Sequence, residues 1–445
     1  YVSIGRVWTE QEEAVQEVET ELNTCGAKAD AVEVTKEWWS NFWPQGGFLT
    51  MDNSWIESFF FLQVAKMAMN TGENGTVHDL QGTMTAQTDT PWPDLHTDMN
   101  IEATYYAPMR TNRISLMGAY VKWMQKSIPN FSKNTPWDDA AAAPTGASSL
   151  QGLETCYWDY AQVNNSCVSA PPSVTGNLLW MLHPIAQTIF HSPSQQQKQI
   201  VTSTLFPLLT KALNAYLHFQ IDPQSLKEEE EVMRQRGQPQ SEGPTSPSAS
   251  STIHLPVTFS PEYPYGRGND TSYDVALYRW GLETVLQLAT AFNLSHPNLL
   301  RYASTLSRLT TLPIDPATGI EIAAGVPLNH SHRHYSHLLS IWPLATLPMD
   351  TNTTLLNIAM QSVDHWLSLP GALTGFCRPA ASSMSLYFGR PSAAVTNVTD
   401  LLQNYVHPNT AYTEGTGSCS ETPQLASNAI ANFFLIEFNR TILLF

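Results

Sequence analysis

Apolar residues recur at helical spacing in about twelve segments of this chain, and no run of alternating strands interrupts them. The segments are 11–22, 52–69, 107–126, 177–190, 195–219, 272–292, 297–309, 334–342, 353–367, 380–388, 391–405 and 422–438. Long Pro- and Gly-rich connections separate them. An even number of helices near twelve, joined by loops able to carry function, points to an all-α chain closed as an (α/α)6 toroid. Two separate helical bundles are the plainer alternative. Pro184 and Pro207 fall inside helical segments, where a missing N–H and a bulky ring should kink or split the helix. Residues 227–252 lack any apolar pattern and read as an exposed low-complexity insertion, or a processing site, within one domain spanning 1–445.

The 445 residues are 42% hydrophobic but only 14% charged, against a usual charged share of about 25%. Such a chain can bury a large core, and its surface is polar through Ser, Thr, Asn and Gln more than through charge. A net charge of −17 argues against nucleic acid and anionic membranes as partners. No apolar run reaches the roughly 18 residues needed to span a bilayer. Tyr1 is not an initiator Met, and no signal-peptide pattern opens the sequence, so the expectation is a processed or partial chain whose leader has gone.

Sequons stand at Asn74, Asn130, Asn164, Asn269, Asn293, Asn329, Asn352, Asn397 and Asn439. Chance would give roughly four or five, so the excess suggests a secreted or secretory-lumen glycoprotein of eukaryotic type. Cys156 and Cys167 are close enough to close a small disulfide loop, while Cys25, Cys377 and Cys419 leave at least one thiol unpaired within the chain. None has the spacing of a zinc site.

The chemistry-bearing residues gather first between Leu80 and Asn112. His96, Asp98 and Asn100 are spaced two apart, behind Trp92 and ahead of Tyr105-Tyr106. On an extended segment all three would face one side and grip a hydroxyl-rich ligand and a water. Three further blocks follow: Ser260-Pro261-Glu262, His332-Arg333-His334 with Ser336-His337-Leu338, and Glu414-Gly415 ahead of Glu421-Thr422-Pro423.

These blocks, with Leu80-Gln81-Gly82, Pro91-Trp92 and Tyr105-Tyr106-Ala107-Pro108, resemble glycoside hydrolase family 95 in the same order over some three quarters of the chain. That family contains inverting α-L-fucosidases and α-L-galactosidases. The likeness covers the helical domain only; flanking β-domains are not evident. It implies exo-hydrolysis of an α-linked L-fucose- or L-galactose-type sugar, with Glu262 as general acid. Asp98, Asn100 and Glu421 would position and activate water, and His96, Arg333, His334 and Trp92 would hold the sugar. No cofactor and no metal are implied, and the partner is an oligosaccharide or polysaccharide.

The residues themselves support that division of labour. Inversion needs one carboxylic acid at the leaving oxygen and a base for water on the opposite face. Glu262 follows a proline among tyrosines, with few cations to hold it ionised, so desolvation should raise its pKa. The plain alternative is a surface Glu paired with Arg267. Asp98 stands where the family has an Asn, and Glu421 is one methylene longer than the Asp of well-known members. An Asn only orients water, whereas Asp98 can also accept a proton. Two neighbouring carboxylates would repel and force one to keep its proton. The site therefore works with a rearranged base, or the domain is an inactive glycosidase relative kept as a structural or carbohydrate-binding glycoprotein.

His330, His332, His334 and His337 have no Cys or acidic partner at metal-site spacing; His337 reads as a core imidazole. Trp55 joins Trp92 as a pocket candidate, while Trp280 and Trp366 belong to helical faces of the core. Serine-hydrolase and nucleotide-binding motifs are absent in any convincing context.

Overall fold

The computed structural model describes residues 28–71, 77–82, 95–97, 99–135, 137–143, 146–148, 176–191, 195–223, 252–261, 263, 266–349, 352–414, 417–438 and 441–444. The expected helix at 11–22, nearly all of the low-complexity insertion, Trp92, Asp98, Glu262, Cys156 and Cys167 lie outside these residues.

The described helices are α1 (Lys28–Phe42), α2 (Ser54–Asn70), α3 (Asn100–Thr104), α4 (Tyr106–Arg110), α5 (Met117–Lys133), α6 (Asn177–His191) and α7 (Gln195–Ile200). They continue with α8 (Phe206–Phe219), α9 (Ser272–Phe292), α10 (Leu299–Arg308), α11 (Thr353–Ser368), α12 (Cys377–Tyr387), α13 (Pro391–Asn404) and α14 (Glu421–Ala431). Among the described residues, ten short strands pair into antiparallel ribbons of two. Those that matter below are β1 (Leu95–Thr97) with β2 (Gly146–Ser148), β5 (Ile314–Asp315) with β6 (Gly319–Ile320), and β7 (Tyr412–Glu414) with β8 (Gly417–Cys419).

Local signals explain the helix ends. Asn53 caps α2 by accepting from Trp55 N and Ile56 N at 3.1 and 3.3 Å. Thr271 caps α9 through Asp274 N, and Asn293 ends it in the left-handed conformation. A single π-helical turn over Val201–Leu205 lets Pro207 fall in the first turn of α8, where a proline needs no donor. The helix around Pro184 is not split.

Three segments depart from the periodic reading. The span 107–126 is broken because Asn112 turns left-handed, leaving α4 and then a 3-10 turn into α5. The span 334–342 is not an α-helix: only Ser336–Leu338 forms a 3-10 turn, and its apolar residues are buried because the loop itself is packed inside. The end of 422–438 leaves the helix after Ala431 and becomes the strand Leu435–Phe438.

Burial sorts the helices into two sets. Every residue of α14 is buried, and α6, α9 and α12 are buried around most of their circumference. By contrast α10, α11 and α13 bury one stripe each, such as Ala394, Val398, Leu401 and Leu402 in α13. Consecutive helices pack in pairs, α9 with α10 and α12 with α13, while the last helix, α14, packs against α2, α3 and α4 near the start. An inner set is thus wrapped by an outer one, around one apolar core that runs from Phe42 to Ala431.

Among the sequons, Asn269, Asn293, Asn329 and Asn352 are exposed, whereas Asn130 and Asn397 are half-buried. The Asn397 amide donates to Ala393 O at 2.9 Å within α13. Asn74, Asn164 and Asn439 lie outside the described residues.

Candidate active site

A half-open pocket is lined by Leu80, His96, Asn100, Arg333, His334, Phe376, Glu414, Cys419 and Glu421. It gathers five of the residues singled out from sequence: His96, Asn100, Arg333, His334 and Glu421. They come from three separate stretches of chain.

His96 sits on β1, but the extended segment ends there. Met99 is fully buried at φ 80°, an unusual conformation for a residue with a Cβ, and Asn100 opens α3. The expected two-residue alternation therefore does not reach Asn100. His96 and Asn100 reach the same pocket because the backbone turns a corner, not because it runs straight. Tyr105 and Tyr106 are core residues: Tyr105 OH accepts from His78 N at 2.8 Å, and Tyr106 OH accepts from Trp180 Nε1 at 3.1 Å.

The turn at Asp79–Gly82 serves the site indirectly. Asp79 Oδ1 accepts from Gly82 N at 2.6 Å and Gln81 N at 3.3 Å, and Gly82 supplies the positive φ the turn needs. Leu80 faces the pocket, and its carbonyl accepts from Ser420 N at 2.8 Å, fixing the entry to α14 one residue before Glu421.

Glu421 is the first residue of α14 and only 2% exposed. Burial, and then the nearby Glu414 carboxylate, push its carboxyl up to about 8. A hydrogen bond from its own backbone N–H, the Asn100 side-chain hydrogen bond and the Arg333 charge pull the other way. Glu421 Oε2 is buried with no hydrogen-bond partner among the described residues. An acceptor left open in a buried carboxyl is costly unless something else comes to meet it.

Arg333 and His334 are delivered by a loop pinned at several points. Trp366 Nε1 donates to His332 O at 2.8 Å, and the Cys377 thiol donates to Arg333 O at 3.2 Å. Arg333 Nε lies 3.1 Å from Glu414 Oε1 and donates to His334 Nε2 at 3.2 Å. Burial, and the adjacent guanidinium, hold His334 well below the ordinary imidazole range. It is neutral, with Nε2 as its acceptor. His337 is a buried core imidazole, as expected, pushed down to about 3 by burial and by His332 and His365.

The neighbours of Glu262 are tied to that same loop. Ser336 Oγ donates to Pro261 O at 3.3 Å, and Ser260 Oγ and Ser336 Oγ are 2.9 Å apart. Tyr263 OH accepts from Asn329 N and His330 N at 3.2 and 3.1 Å.

Glu414, Phe376 and Cys419 line the pocket without having been marked as site residues. The only sequence sign of Glu414 was its place in the last block, seven residues ahead of Glu421. Trp55 does not line the pocket; it is 45% exposed in the first turn of α2. Trp280 and Trp366 are buried in the core.

The model of the glycosyl hydrolase family 95 catalytic domain matches residues 67–429. No curated protein sequence matches the chain significantly. A solved structure described as "Putative kojibiose phosphorylase from human microbiome" superposes with a TM-score of 0.62 at 11% identity, covering 98% of this chain and 60% of that one. A looser superposition, TM-score 0.41 at 11% identity, is with the GH63 mannosylglycerate hydrolase from Thermus thermophilus in complex with glucose, over 84% of this chain and 99% of that one. The first likeness speaks for the fold, which is the (α/α)6 toroid expected from the helical pattern.

Proposed function

The chain belongs to glycosyl hydrolase family 95, and on that footing we propose that it is an exo-glycosidase releasing a terminal α-linked L-fucose- or L-galactose-type sugar with inversion. The observation that carries this reading is the meeting of Asn100 and Glu421, from opposite ends of the matched region, in one pocket with His96, Arg333 and His334. A pocket combining a carboxyl, a carboxamide, two imidazoles and a guanidinium offers both the donors a sugar needs and a base for water.

In the proposed reaction Glu262 gives its proton to the glycosidic oxygen as the C–O bond breaks. Water attacks the anomeric carbon from the opposite face, held by Asn100 with Asp98, and its proton passes to the base-side carboxylate, Glu421. Support for Glu262 comes from its two chain neighbours, which bond to the loop carrying Arg333 and His334. Glu421 must be ionised to serve as base. Asn100 and Arg333 favour that form, while burial and Glu414 oppose it, so turnover should climb as pH rises toward the Glu421 value of about 8. Residues His96, Arg333, His334 and Trp92 are assigned to the sugar. The exposed sequons fit a secreted or luminal glycoprotein.

The test is sugar release from fucosylated and galactosylated glycans, with NMR following the anomer formed first. An inverted L-sugar, with turnover falling by orders of magnitude in Glu262→Gln while sugar affinity persists, is the expected result. No release across a broad panel by folded protein would leave a structural or carbohydrate-binding role instead.

A further inference from the structure

Glu414 holds a position that ordinary surface ion pairs do not. Its side chain is only 10% exposed, and both oxygens are engaged. Oε1 lies 3.1 Å from Arg333 Nε and accepts from Thr374 Oγ1 at 3.1 Å; Oε2 accepts from Tyr412 OH at 2.7 Å. Tyr412 and Glu414 stand two apart on β7 and so share a face of the ribbon, which brings the phenol to the carboxylate. Three segments thus converge on this one side chain: the loop bearing Arg333, the turn at Thr374 ahead of α12, and β7 itself. All of this happens inside the pocket that also holds Glu421.

We propose that Glu414 is a positioning residue of the candidate active site, locking Arg333 in its sugar-facing place and imposing a negative charge beside Glu421. The assignment rests on the glycosidase reading for its effect on turnover, but the charge coupling between the two carboxyls does not. Arg333 is the middle of a short chain of contacts, Glu414 to Arg333 to His334, so losing the carboxylate releases the guanidinium that adds to burial in holding His334 below the ordinary imidazole range. The groups facing Glu421 are His96 from β1, Asn100 from α3, Arg333 and His334 from the loop, and Glu414 and Cys419 from the β7–β8 ribbon. Of the charged groups that act on Glu421, Glu414 raises it and Arg333 lowers it. Replacing Glu414 with a neutral isostere removes the opposing charge while keeping an acceptor for Tyr412.

Three variants separate position from charge. In Glu414→Gln, the rise of kcat/KM with pH should move down by about one pH unit, with KM several-fold higher. In Glu414→Asp the charge remains, so the rise should stay near its original pH although KM increases. In Tyr412→Phe, which leaves Glu414 charged but short of one donor, KM should rise with the pH profile in place. Unchanged KM and pH profile in Glu414→Gln would overturn the proposal and leave Glu414 a structural residue. If the native protein releases no sugar, the carboxyl titration of Glu421 is read by infrared difference against Glu421→Gln. Its movement to lower pH in Glu414→Gln upholds the coupling even then, and an unmoved titration rejects it.

Discussion

Asn100 and Glu421 each open a helix, α3 and α14, and both line one pocket, where the Asn100 side chain acts to lower the Glu421 carboxyl. The amide favours the ionised carboxyl, against burial and Glu414. Asn100→Ala should therefore cost roughly 100-fold in kcat and move the rise in activity to higher pH. Steady-state kinetics across pH on the fold-checked variant decide this; a variant with native kcat would remove Asn100 from the site.

Stability should carry the same signature with a definite sign. The Glu421 carboxyl is raised from 4.5 to about 8 on folding, so the native state binds the extra proton between those values. The stability tied to that proton is full below the unfolded value and is lost as pH rises through about 8. Melting temperatures of the native protein should fall across this window, and those of Glu421→Gln should stay comparatively flat. Parallel curves would contradict the buried, proton-bound state.

Asp274 organises the start of α9 and is fully buried. It accepts from Gly176 N at 3.0 Å, Tyr216 OH at 2.7 Å, Thr258 Oγ1 at 2.6 Å and Thr271 Oγ1 at 2.8 Å. Asp274→Ala strands these donors in the core and should destabilise by about 3 kcal/mol or more. Urea unfolding measures it, and a loss below about 1 kcal/mol would mean that water replaces the carboxylate.

Two glycines with positive φ make a paired test of close packing. A Cβ on Gly319 would lie 2.2 Å from Ser362 Oγ and 2.9 Å from Ser362 Cα, whereas one on Gly325 meets nothing within 4 Å. Gly319→Ala should cost about 3 kcal/mol, against about 1 kcal/mol for Gly325→Ala from backbone strain alone. Equal melting temperatures for the two would show that α11 yields to the ribbon β5–β6.

Much of this was legible because periodicity reports burial. The pattern over 272–292 matches α9 residue for residue, since a capping threonine and a left-handed asparagine bracket it. The span 334–342 misled because a buried loop is as apolar as a helix, and periodicity cannot separate them over so few residues. Residues His96, Asn100, Arg333, His334 and Glu421 stand in the blocks that carry the family resemblance, and the fold brings them to one pocket, yet the reason that His96 and Asn100 converge was not legible. The corner at Met99 has no sequence mark, because methionine is an unusual choice for positive φ. Glu414 was missed for another reason: its importance lies in three partners, Arg333, Thr374 and Tyr412, of which two are distant in sequence.

The seam where α14 meets α2, α3 and α4 also bears on how the protein is made. Ser420 bonds to Leu80, and Lys66 bonds to Thr410, so the ring is closed by its final described segments. A ribosome would expose the apolar face of α2 long before α14 leaves the exit tunnel. During that wait the nascent chain carries an open apolar groove where the closed ring will be. Variants along the seam should therefore betray themselves first in yield, and only later in catalysis.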